Sequence, residues 1–147
     1  MINEFEFFHG LVFARILHAT SRPISVEKFR LDSNASYVLD GTIGLYIKHS
    51  AKRMTPWKFT FKKEHKNEID LLSVKFKNVF IILVCNNDGI ACISYSELNR
   101  ILNNQCDPIE WISVNRHKRE MYSIKGSNGE LDYKIGLNDF PGKIFKI

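Results

Sequence analysis

The chain has 147 residues, 44% of them hydrophobic, with 21 Lys and Arg against 16 Asp and Glu, a net charge of +5 and a pI near 9.1. That length and apolar fraction suit one domain with its own core, and the charge favours anionic partners over basic ones. The cysteines at 85, 92 and 106 form no C-x-x-C pair, which excludes the usual zinc-ligand spacing, and the longest apolar run, 79–85, is too short to span a bilayer.

The start, MINEFEFFHG, is acidic where a secretory signal needs positive charge. With an odd number of cysteines this predicts a reducing compartment, the cytoplasm, and no membrane association. Residues 4–18 place Phe5, Phe8, Val12 and Ile16 at helical spacing, and Ser21-Arg22-Pro23 ends that helix. Residues 24–34 read as an irregular or extended connection. Three strand-like runs follow, at 36–40, 45–49 and 57–61. In the third, Trp57, Phe59 and Phe61 share one face while Lys58 and Thr60 take the other.

Residues 62–75 predict an amphipathic helix with Ile69, Leu72 and Phe76 buried and Lys62, Lys63, Lys66 and Glu68 solvated. The run 79–85 is Val, Ile and Phe-rich, as a central strand covered on both faces should be. Asn86-Asn87-Asp88-Gly89 predicts a hairpin turn into a strand at 90–94. Ser94-x-x-Glu97 is a capping box that opens a short helix to about residue 102. Strands are expected at 111–115, 121–125 and 131–135. The whole predicts a single α+β domain over residues 1–147, with a mixed β-sheet flanked by helices. Its αβββαβ-type core is followed by a hairpin, a short helix and further strands.

Two segments carry the charge. Residues 40–61 set Lys48, His49, Lys52, Arg53 and Lys58 among Tyr46, Trp57, Phe59 and Phe61. Residues 116–119 add Arg116, His117, Lys118 and Arg119. Cations beside flat rings are what a polyanion needs: charge for phosphate and faces for bases. The candidate nucleic-acid contacts are Lys48, Lys52, Arg53, Trp57, Lys58, Arg116 and Arg119, with Tyr46 or Trp57 stacking. The competing reading is a Trp that anchors its strand among solvated charges. Asp40-Gly41 and Asp88-Gly89 both have the chemistry of turns. Glu6 and His9 share a helix face, as an acid/base pair or as a solvated first turn.

The element order of the first half resembles the PD-(D/E)XK, or restriction-endonuclease-like, superfamily. On that resemblance Asp40 falls near the metal-binding Asp and Lys48 on the water-orienting Lys, while Tyr46 occupies the acid position. The resemblance implies a Mg²⁺-dependent nuclease with Asp40 as metal ligand. The displaced acid would be Glu64 or Glu68 on the following helix, with Glu6 as an auxiliary ligand. If these acids do not converge on Asp40, the domain keeps the fold without the chemistry and is a nucleic-acid binder. A role in defence or counter-defence is the context the resemblance implies. The alternative is a non-catalytic protein-interaction or homo-oligomerising module, an inhibitor or complex subunit, with Phe7, Trp57, Trp111 and Tyr122 as its interface.

Overall fold

The computed structural model describes residues 1–103 and 109–146; Cys106 lies outside them. The first half runs α1 (Glu4–Ala19), β1 (Val26–Lys28), β2 (Ser36–Leu39), β3 (Ile43–Ser50), β4 (Trp57–Lys62) and α2 (Lys63–Lys75). Then come β5 (Asn78–Cys85), β6 (Gly89–Ser94), α3 (Tyr95–Ile101), β7 (Ile109–Asn115), β8 (Ser123–Gly126) and β9 (Gly129–Glu130). A short helical turn, α4 (Asp139–Gly142), leads into a 3₁₀ turn at Lys143–Phe145.

The class expected from the sequence, α+β around a mixed sheet, is the one the chain adopts. The mixed sheet has the order β1-β2-β3-β5-β6, with β3 and β5 parallel and every other pair antiparallel. One expected neighbour is missing from it. The third run, β4, leaves the sheet and pairs antiparallel with β7, opening a second sheet of order β4-β7-β8-β9. The reason is topological: β3 and β5 pair directly over their whole length, so the chain between them must cross over outside the sheet.

Alternation along β5 divides the core in two. Phe80, Ile82 and Val84 pack with Val12 and Ile16 of α1 and with Phe140 and Ile144 near the C-terminus. Val79, Ile81, Leu83 and Cys85 pack with Ile69 and Leu72 of α2, with Trp57, Phe59 and Phe61 of β4, and with Ile112 and Val114 of β7. The strand is therefore covered on both faces, as its unbroken apolar run predicts. In β4 burial alternates strictly, with the three aromatics inside and Lys58, Thr60 and Lys62 outside.

Local signals hold at most boundaries. Ser94 Oγ accepts from the Glu97 N–H at 3.1 Å and Glu97 Oε1 accepts from the Ser94 N–H at 2.9 Å, the predicted capping box. Asp40 and Gly41 both have positive φ (51° and 68°) between β2 and β3, as a tight Asp-Gly turn requires. The last strands differ from expectation. Tyr122 makes only an isolated bridge to Ile135, and the run 131–135 otherwise forms no ladder.

Lys66 and Glu68, expected in water, are both buried. Lys66 Nζ donates to Glu110 Oε2 at 2.8 Å, and the other Glu110 oxygen accepts from the Asn103 N–H at 2.6 Å and from Ser127 Oγ at 2.9 Å. Lys63, Glu64, Asn67, Leu71, Val74 and Lys75 of α2 stay exposed, but Glu110 draws Lys66 inward and Ser33 and Tyr46 draw Glu68 inward, partners from distant parts of the chain that the amphipathic rule does not see.

The β8–β9 hairpin lies against the end of α3, where a Cβ on Gly126 would run into the carbonyl oxygen and Cβ of Ile101. Gly126→Ala should therefore destabilise the domain by about 2 kcal/mol, the usual range for overpacking. Gly10, exposed in α1 with open space around it, should behave oppositely: Gly10→Ala stabilises by about 0.5–1 kcal/mol through helix propensity. Urea-unfolding midpoints of the two variants would move in opposite directions; a shared direction would contradict this packing.

Candidate nucleic-acid interface

The two basic segments meet. The β3–β4 loop supplies Arg53, Met54 and Thr55, the β7–β8 loop supplies Arg116, His117 and Lys118, and with Trp57 and Asp88 they line a cleft of about 380 Å³. Hydrogen bonds clasp the two loops. Thr55 Oγ1 accepts from the Arg116 N–H at 3.0 Å and donates to Asn115 Oδ1 at 2.5 Å. The floor is set by Asp88 of the β5–β6 turn. Its carboxylate takes both arms of the Arg116 guanidinium, at 2.6 and 2.9 Å, and the Tyr122 hydroxyl at 2.8 Å. The Arg116 hydrogen bond is the largest influence holding the Asp88 carboxyl below the usual carboxylate range.

Arg116 is thus neutralised within the fold, and its role is to hold the cleft together. Lys52, Arg53, Lys118 and Arg119 are exposed, and none has an ion-pair partner among the described residues. Lys58 is also exposed, on the outer face of β4, with its ammonium 5.1 Å over the Trp111 ring.

The stacking residues require correction. Trp57 is 2% exposed, and its indole N–H donates to the Lys52 carbonyl at 2.9 Å, so the ring anchors the basic loop from inside. Tyr46 is also buried and has no free face. Of the four aromatics expected to form a protein interface, Trp57 and Tyr122 are in the core, Trp111 is half-buried and Phe7 alone is exposed. A charged sequence neighbourhood made these rings look accessible, but alternation along the strands turns them inward.

Lys48 does not line this cleft. It is half-buried two residues before the end of β3, where Nζ donates to the Thr60 carbonyl at 2.6 Å and lies 3.3 Å from His65 Nδ1. Glu68 is close by: Tyr46 OH donates to its Oε1 at 2.8 Å, and Ser33 gives it both the hydroxyl, at 2.7 Å, and the backbone N–H, at 3.0 Å. Glu64, one turn earlier, is exposed.

Asp40 does not join them. It sits in the turn before β3, and Ile43 to Lys48 alone spans about 16 Å of strand. Its oxygens accept from Arg22 at 2.7 Å and from the Ser25 N–H at 3.1 Å, and the Arg22 hydrogen bond foremost holds its carboxyl below the ordinary range. Asp40 and Glu68 therefore make no shared donor set for Mg²⁺. Both carboxylates are already committed to protein donors, and no group of three His, Cys, Asp or Glu side chains converges among the described residues. Glu6 serves α1 itself, its Oε1 accepting from the Asn3 N–H at 3.0 Å.

Three contributors escaped the sequence reading. Thr55 and Asp88 act through contacts between distant loops, which leave no local signal. His65 had one: it stands three residues after Lys62, the acceptor position of a capping box, and its Nδ1 does accept the Lys62 N–H at 3.1 Å. His9 belongs to the core. It is 5% exposed, hydrogen-bonded to the Tyr37 hydroxyl at 2.7 Å, and pushed down to about 4, by burial first and then by His49.

Between the ordinary histidine value and about 4, the unfolded chain binds a proton that folded His9 refuses. Stability should therefore fall as pH drops through that window, by up to about 3 kcal/mol from this residue. In His9→Gln, where an amide replaces the imidazole beside Tyr37, that share of the loss between pH 7 and pH 4.5 should vanish from chemical unfolding curves. Equal losses in variant and parent would show that His9 is not the origin.

No family model, curated protein or solved structure matches this chain, so the geometry alone carries the functional reading.

Proposed function

We propose that this protein binds nucleic acid in the cytoplasm through the cleft between the β3–β4 and β7–β8 loops, gripping the phosphate backbone without cleaving it. The observation that carries this reading is the convergence of two basic loops, more than fifty residues apart in sequence, on one cleft whose own acid, Asp88, is already spent on Arg116. Cations held close together without counter-ions raise the local potential, and a polyanion that releases its condensed ions relieves it. Lys52, Arg53, Lys118 and Arg119 are the phosphate contacts, and Lys58 extends the track along β4. With Trp57 and Tyr46 buried, binding rests on charge and shows little base preference.

The metal-dependent nuclease implied by the restriction-endonuclease-like resemblance has less support. Its lysine and displaced acid stand together, but its metal-binding aspartate is elsewhere. A defence-related role fits a non-cleaving binder as well as a nuclease.

Fluorescence anisotropy with short DNA and RNA, repeated over a salt series with and without Mg²⁺, is the test. The parent protein should bind with a steep salt dependence and leave the strands intact. Arg53→Ala with Lys118→Ala should reduce the slope of log affinity against log salt by about 2, one for each lost contact. Lys28→Ala, on the edge strand β1 at the other side of the sheet, should leave it unchanged. Binding indifferent to salt and to the double substitution would overturn the reading.

A further inference from the structure

A second cleft, of about 190 Å³, opens between the first turns of α1, the loop before β2, the end of β3 and the start of α2. It is lined by Phe5, His9, Tyr46, Lys48, His49 and His65, with the 33–35 loop closing one side. Nothing in the nucleic-acid reading uses it.

Lys48 is its unusual member. A half-buried ammonium normally has a carboxylate against it. Lys48 has none within ion-pair distance among the described residues, and Glu68, whose charge acts on it, already accepts from Ser33 and Tyr46. Two acceptors instead hold its nitrogen: the Thr60 carbonyl and His65 Nδ1. His65 Nδ1 also accepts the Lys62 N–H, so this nitrogen carries the lone pair, and burial keeps the ring neutral. The result is an amine fixed at two points, facing a small cleft, with a neutral imidazole at its side.

We propose that Lys48 is a nucleophilic amine and that this cleft takes a small carbonyl compound, which Lys48 binds as an imine. In the step, Nζ attacks the carbonyl carbon and a C–N bond forms. The two amine protons leave with the carbonyl oxygen as water, so nothing is oxidised or reduced. His65 Nδ1, 3.3 Å away, shares its lone pair with the Lys62 N–H and so orients the amine, while the protons reach the departing oxygen through solvent. Burial, reinforced by the charge of Lys62, brings Lys48 down to about 8, so the free amine is present near neutral pH. The volume sets the substrate class: it lies below the roughly 300 Å³ at which drug-sized pockets begin, so a short aldehyde fits and a sugar chain does not.

The plain alternative is that Lys48 only caps the exposed carbonyl of β4. The two are separated by reductive alkylation of the intact protein with limiting propanal and cyanoborohydride, read lysine by lysine by peptide mass spectrometry. At pH 7 Lys48 should be alkylated about tenfold faster than Nα-acetyl-lysine added to the same reaction, since the larger neutral fraction outweighs its lower basicity. Its rate should level off above pH 8 while that of the free lysine derivative keeps rising. His65→Gln should slow Lys48 alone. If Lys48 reacts no faster than the free lysine derivative at pH 7, or follows the same pH profile, the proposal is wrong. The nucleic-acid reading stands or falls separately, since its contacts are other residues.

Discussion

The parallel pairing of β3 with β5 governs this molecule. Eight consecutive residue pairs, from Ile43 with Asn78 to Ser50 with Cys85, lock two strands that the chain can join only by leaving the sheet. Residues 51–77 make that excursion, and they use it to build a strand, β4, and a helix, α2, above one face. A crossover of helix alone would give a simple layered domain. Here the crossover strand seeds a second sheet, and its three aromatics become the core between the two sheets.

The same constraint places the basic loop. Because β3 and β5 end together, residue 51 emerges beside the β5–β6 turn. There the Asn86 N–H donates to the Ser50 carbonyl at 3.0 Å and the Asn86 amide to the Ala51 carbonyl at 3.2 Å. Asp88 of that turn then reaches Arg116 and Tyr122 from the second sheet. The cleft is thus a product of strand register, held by one buried-edge acid and one indole anchor.

A second fixed point is the Lys66–Glu110 pair, whose carboxylate is fully buried and accepts from Lys66, Asn103 and Ser127. It ties α2, which shares no ladder with either, to β7 and the β8–β9 turn of the second sheet. Buried pairs of this kind add little net stability over an apolar replacement, but removing one partner costs about 3–5 kcal/mol, so they specify which surfaces meet. Gly44 works beside it: a side chain there would press on Val79 and Leu72, and its absence lets α2 lie close to β3. That closeness brings Glu68 and His65 over Tyr46 and Lys48.

By itself the sequence determined what local physics decides. The alternation of Trp57, Phe59 and Phe61, the doubly buried run at 79–85, the Asp-Gly turns and the Ser94–Glu97 capping box all act within a few residues, and each appears where the pattern puts it. The net positive charge and its two clusters were equally legible. Long-range packing settled which strand neighbours which, and therefore that β4 belongs to a second sheet, that Lys66 and Glu68 are buried, and that Asp40 is far from Lys48. It also decided that Trp57 supports the cleft from within, and that Arg53 and Lys118 face one space. Register, burial and the pairing of charges depend on contacts between residues tens of positions apart, and no local pattern encodes such distances.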